Sequence, residues 1–264
     1  MKDSWKEYEF LDHPLLISSL FYPRPDYYAE SDSDHMLHVD LPVEGGISIS
    51  CELYFNDKKD PCILYFHGNG ELASEYGDVG AVFNSAGINL FVADYRGYGR
   101  SGGRATVSNM LKDSHELLKG FKETLAERGF KDSHFIMGRS LGSASAIELA
   151  SNYPAEFKGL IIESGFCDIT DLLGRFGLSP VDAQHSGLET PGLNRVRKIT
   201  MASLVIHGEF DSIVPLTEGE KIFHNLISAD KRMVVVPNAD HNSVFMEDTD
   251  LYMRELGDFV KRNK

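Results

Sequence analysis

FIMGRSLGSASA, Phe135 to Ala146, runs from an apolar stretch through one serine set between two glycines into a string of small, helix-compatible residues. The apolar run reads as a buried strand and SASAIELASNY as a helix, so Ser140 falls on a strand-to-helix turn. The pentapeptide alone is weak evidence: with glycine at 24 of 264 positions, G-x-S-x-G arises by chance in roughly one such chain in five. A second match, Gly99-Arg100-Ser101-Gly102-Gly103, lies upstream. Context separates the two. A nucleophilic serine needs a strand end to fix its position and a helix start whose N–H groups favour developing negative charge. Ser140 has both, with Gly138 and Gly142 permitting a tight turn. Ser101, in DYRGYGRSGGRATVS, has glycines where a helix would have to start and reads as a structural loop.

Outward from this turn, the runs CILYF, INLFVAD, HFIMG, GLIIES, ASLVIHG and RMVVVPN read as buried parallel strands. Amphipathic stretches between them, ELASEYGDVGAVFNSAG, SNMLKDSHELLKGFKETLAERG and PLTEGEKIFHNLI among them, suit crossover helices, as does the final FMEDTDLYMRELGDFVKRN. Before CILYF, HMLHVDLPV and ISISCELYF are joined by Glu44-Gly45-Gly46, a hairpin composition. The order predicts an α/β fold with an antiparallel start and a mostly parallel sheet covered by helices on both faces, with ligands at the carboxyl ends of the strands. One region breaks the alternation. About residues 167–201, with four glycines, two prolines and weak periodicity, read as a lid over a site. Residues 1–35 read as an N-terminal extension, its YPRP an extended surface segment, and residues 36–264 as a single domain.

Composition excludes several classes. A net charge of −14 argues against nucleic acid or an anionic membrane as partner. Cys51, Cys62 and Cys167 are odd in number and lack C-x-x-C, which suggests neither a disulfide framework nor a thiolate metal site and favours a reducing cytoplasm. MKDSWKEYEFLDHP is no signal peptide, LLISSLF is too short to span a bilayer, and no later stretch reaches the necessary length, so no membrane insertion is expected. The oligomeric state is not legible.

A serine hydroxyl needs a histidine base, and that histidine needs an acceptor for its other N–H. His241 follows the last predicted strand and lies C-terminal to Ser140; His115 and His224 fall within predicted helices, and His134 begins a strand at the opposite end of the sheet. For the acid, Asp211 in HGEFDSIVP follows the preceding strand, with Asp168 after GLIIES and Asp240 beside His241 as rivals. An oxyanion needs fixed backbone donors. Leu141, directly after the serine, supplies one, and the loop His67-Gly68-Asn69-Gly70-Glu71 supplies the other at Asn69.

The ordered set HGNGE, DYRGYGRSGG, GRSLG, HGEFDSIVP and the Asp240-His241 pair, from about Ile63 to the C-terminus, resembles the α/β-hydrolase superfamily. Its HGNGE loop is similar to that of monoacylglycerol-lipase-like and serine-aminopeptidase-like hydrolases. The resemblance implies an eight-stranded α/β-hydrolase sheet with a short lid, Ser140 as nucleophile, Asp211 as acid, His241 as base, and Asn69 and Leu141 as oxyanion donors. It implies an acyl-enzyme cycle on a small-molecule acyl substrate, a small or medium carboxylic ester, with no cofactor or metal. Amide, peptide or thioester hydrolysis on the same triad is the alternative. Arg139 stands where lipase relatives often carry histidine, and the lid is shorter than in large-lid members. Two other readings remain: a hydrolase fold used only for binding, and an NAD(P)-binding protein in which GNGELA fits G-x-G-x-x-A, with Asp94 about twenty residues on.

Overall fold

Strands covered on both faces must be mainly apolar, and the central ones are, with Asn89 and Glu163 as polar residues at strand ends. Every residue of β3 (Cys62–Phe66), β4 (Asn89–Ala93) and β6 (Gly159–Glu163) is buried. In the computed structural model, which describes residues 4–27, 32–175, 177 and 190–264, these join β1 (Met36–Val43), β2 (Ile47–Tyr54), β5 (His134–Arg139), β7 (Ala202–Gly208) and β8 (Lys231–Val236). The eight strands form one sheet in the order β1-β2-β4-β3-β5-β6-β7-β8. β2 pairs antiparallel with β1 and β4, and all later pairings are parallel. The β1–β2 turn places Gly45 and Gly46 at φ of 84° and 70°, conformations that cost a residue with a Cβ.

The pleat sorts alternate residues to two cores. Cys62, Leu64, Phe66, Ile136, Leu160 and Ile162 face one side, with α1 (Pro14–Leu20), α3 (Val107–Glu127), α4 (Gly142–Asn152), α5 (Ile169–Arg175), α6 (Pro191–Val196) and α7 (Leu216–Asn225). Ile63, Tyr65, Phe135, Met137 and Ile161 face the other, with α2 (Gly77–Ser85), α8 (Val244–Glu247) and α9 (Thr249–Asn263). No helix among the described residues is long and apolar enough to cross a membrane.

Three segments differ in detail from the sequence reading. ELASEYGDVGAVFNSAG is not one helix but a 3₁₀ turn, Ala73–Tyr76, followed by α2. The C-terminal stretch breaks at Asp248, where φ and ψ of −146° and 76° end α8, and its carboxylate caps α9 by accepting the Leu251 N–H at 2.9 Å. The N-terminal stretch packs into the main core through Tyr8, Leu11, Ile17, Leu20 and Phe21. Of the stretch read as a lid, α5 and α6 are described, while residues 176 and 178–189 lie outside the described residues.

Candidate active site

The sheet order sets where a site can lie. β3 and β5 are neighbours, β4 lies beyond β3 and β6 beyond β5, so the connections leave in opposite directions and a crevice opens at the carboxyl ends of β3 and β5. The β3 loop carries Asn69 and the β5 turn carries Ser140.

Ser140 has φ of 49°, left-handed backbone that costs a non-glycine residue roughly 1–2 kcal/mol. The turn holds it there. Its N–H donates to the Glu163 carbonyl at 2.9 Å, and its own carbonyl accepts from the Ser143 N–H and hydroxyl at 3.0 and 2.7 Å. The glycines permit the packing: a Cβ at Gly138 would lie 2.7 Å from Ser143 Cα, and one at Gly142 2.9 Å from the His67 carbonyl oxygen.

His241 Nε2 lies 2.8 Å from Ser140 Oγ, and His241 Nδ1 lies 2.7 Å from Asp211 Oδ2. All three side chains are buried. Asp211 Oδ1 accepts the N–H groups of Ile213 and Val214 at 3.0 and 2.8 Å. His207, fully buried, places Nε2 at 2.8 Å from the Val214 carbonyl and 3.4 Å from Asp211 Oδ2. Burial pushes the Asp211 carboxyl up, but hydrogen bonds from His207 and His241 outweigh it and hold Asp211 well below the usual carboxylate range. A carboxylate at Nδ1 fixes a proton there and turns the Nε2 lone pair toward the serine.

The rival residues have other partners. Asp168 accepts from the Tyr8 hydroxyl, the Gly192 N–H and Thr170, tying the start of α5 to α6. Asp240 caps its own loop through the Asn242 and Ser243 N–H groups, and Ser101 Oγ accepts the Ser50 N–H. The Gly68-to-Ala73 loop is filled from within. Gly68 N–H donates to Glu71 Oε2 at 2.8 Å, while Asp94 accepts from Ala73 N–H and faces His67 Nε2. The Gly68 N–H is not left for a dinucleotide, and the Asp94 carboxylate is buried.

Residues 57–185 match the serine aminopeptidase S33 family. The protein bem46 of Schizosaccharomyces pombe is 30% identical over 77% of this chain and 68% of its own length. The chain belongs to the α/β-hydrolase superfamily. The hydrolase is also 27% identical, over 91% of its length and 86% of the relative's, to protein R595 of Acanthamoeba polyphaga mimivirus. Against alpha/beta hydrolase domain-containing protein 17B of Homo sapiens it is 27% identical over 76% and 66% of the two chains. In fold it matches the esterase Pf2001 of Pyrococcus furiosus, with a TM-score of 0.73 at 20% identity over 92% and 98% of the two chains.

Asn69 and Leu141 both line the hydrolase's cleft beside Ser140, and among the described residues neither backbone N–H has a hydrogen-bond partner. The cleft encloses about 560 Å³, within the usual range for a small-molecule site. Leu20, Leu141, Leu172 and Val214 give it apolar walls.

Two residues emerge only in three dimensions. Arg139 is mostly buried and donates to Glu71, to Glu163 at 3.1 Å, and to the His241 carbonyl at 2.9 Å. One guanidinium thus joins the Asn69 loop, the end of β6 and the His241 loop. Burial pushes both glutamates up, yet Arg139, His67 and hydrogen bonds bring Glu71 below its ordinary value, while Glu163 stays above it. His67 sits fully buried under the Asn69 loop, Nδ1 at 2.7 Å from the Gly68 carbonyl and Nε2 at 3.0 Å from Asp94. Burial pushes the His67 imidazole down, but Asp94, Glu71 and the Gly68 carbonyl raise it overall. The sequence carried one hint of the first network, the glutamate that ends the apolar run GLIIE.

Proposed function

We propose that the protein is a serine hydrolase that cleaves neutral carboxylic esters of small to medium size through an acyl-enzyme. The observation that carries this reading is the continuous chain from Ser140 Oγ to His241 to Asp211, lying beside two backbone N–H groups that are unpartnered among the described residues. Ser140 Oγ attacks the acyl carbon while His241 Nε2 takes its proton, and Asp211 stabilises the imidazolium. The Asn69 and Leu141 N–H groups receive the oxyanion, which in low dielectric is worth roughly 3–4 kcal/mol per donor at the transition state. Collapse expels the alcohol, protonated by His241. Water, deprotonated by the same nitrogen, then attacks the acyl-enzyme and releases the acid.

The strain at Ser140 fits this role, because a left-handed residue on a sharp turn lifts its hydroxyl clear of the sheet. Preference for an uncharged substrate follows from the apolar walls and from Arg139, whose charge is already matched by two glutamates. The test is labelling with an alkyl fluorophosphonate followed by peptide mapping. The native protein is expected to be labelled at Ser140 and the Ser140→Ala variant not at all, with Ser101→Ala labelled as the native. A native protein that resists the probe overturns the proposal and favours a binding-only fold, and label retained in Ser140→Ala overturns Ser140 as the nucleophile.

A further inference from the structure

We propose that the segment Ser19–Tyr22, contributed by the N-terminal stretch, is the gauge that limits the length of the ester's apolar chain. The inference rests on the serine-hydrolase reading of the same cleft. Ser19, Leu20 and Tyr22 all line it, whereas Leu172 is the one lining residue that the stretch about 167–201 contributes among the described residues. A wall selects only if it is fixed, and this one is stitched to the oxyanion loop. Asn69 Nδ2 donates to the Leu20 carbonyl at 2.6 Å, and Asn69 Oδ1 accepts the Tyr22 N–H at 3.0 Å and the Tyr98 hydroxyl at 2.6 Å. A carbonyl on one side and N–H and O–H donors on the other allow only one orientation of that amide. Further along, Arg24 Nε donates to the Gly70 carbonyl at 2.6 Å, and Gly99 N–H donates to the Arg24 carbonyl at 2.9 Å.

Asn69 therefore has two duties. Its backbone N–H is the proposed oxyanion donor, and its side chain holds the wall, so the distance from the oxyanion site to the wall is set within one residue. The wall lies outside residues 57–185, the part matched to the S33 family, so chain-length preference can differ among relatives without any change at the serine.

The ties to Tyr22 run through its backbone, and its side chain is 61% exposed at the cleft mouth. Among the described residues Ser19 Oγ bonds only the Leu15 carbonyl, within α1. Replacing either side chain thus leaves the stitching in place, and Ser19→Phe and Tyr22→Ala are the informative variants. The experiment measures kcat/KM on p-nitrophenyl esters from acetyl to decanoyl and on alkyl acetates from methyl to octyl, alongside thermal melts. Ser19→Phe is expected to lower the ratio of long-chain to two-carbon activity by about tenfold or more in one of the two series, since one methylene in a closed pocket already discriminates by about 10-fold. Tyr22→Ala is expected to raise the same ratio. Folded variants with ratios within about twofold of native in both series overturn the gauge, while the native enzyme's activity and fluorophosphonate labelling leave the hydrolase reading standing. No labelling and no ester hydrolysis by the native protein overturns both together.

Discussion

Replacing Arg139 by methionine tests the buried charge network behind the cleft. The guanidinium, 11% exposed, faces Glu71 and Glu163, so its removal leaves two carboxylates without their cation. Breaking a buried pair in this way costs about 3–5 kcal/mol. For a chain of this size each kcal/mol is worth roughly 2–4 °C, so the melting temperature at pH 7 is expected to fall by about 10 °C. The sign of the pH dependence follows from Glu163, whose folded value is already raised by burial and rises further without the arginine. A group with a raised folded pKa contributes fully below its unfolded value and loses that contribution as pH climbs through the folded one. The gap between native and variant should therefore be smallest near pH 5 and widen toward pH 7, by at most about 1.4 kcal/mol per pH unit for each proton. Adding Glu71→Gln removes one uncompensated charge and should restore about half of the loss. Calorimetric melts at the two pH values measure this. A shift under about 3 °C at pH 7, or a gap that narrows as pH rises, refutes the reasoning.

Three further outcomes are expected. Asp211→Asn presents an amide donor to His241 Nδ1, favours the wrong tautomer and should lower kcat about 10⁴-fold in steady-state ester hydrolysis; a loss under tenfold contradicts the role given to Asp211. Gly138→Ala drives a methyl into Ser143 Cα, so fluorophosphonate labelling should disappear and urea unfolding should show a loss of about 3 kcal/mol. Ser164, left-handed at φ of 46° with a buried hydroxyl unpartnered among the described residues, should gain about 1 kcal/mol as Ser164→Gly, relief of about 1–2 kcal/mol of strain outweighing glycine's entropy; a lower melting temperature counts against it.

Much of the fold was legible because its strands are short and covered on both faces, so CILYF and GLII stand out as unbroken apolar runs between amphipathic stretches. Ser140, Asp211, His241, Asn69 and Leu141 could be nominated because each follows a strand at the same sheet edge; in the structure Ser140, His241, Asn69 and Leu141 line one cleft, and Asp211 lies behind it against His241. Asp211 and Asp168 were harder to separate, since both follow strands and only three-dimensional placement puts one against His241 and the other against Tyr8. The N-terminal stretch was illegible for a different reason. Its attachment runs through backbone groups of Leu20 and Tyr22 to the side chain of Asn69, and a backbone acceptor leaves no mark in composition or periodicity. Arg139 and its glutamates are 68 and 24 positions apart, too far for any local pattern to pair them.

His67 has oxygen acceptors at both ring nitrogens, so whichever way the ring is turned its surroundings favour the doubly protonated, charged form. Because its folded pKa lies above the ordinary 6.5, its contribution is whole below that value and drains away as pH rises through the folded one. The imidazolium grips the Gly68 carbonyl directly beneath the loop that carries Asn69. Loss of activity as His67 gives up its proton would then begin as a slackening of the cradle for the tetrahedral anion, while the serine and its base remained chemically intact.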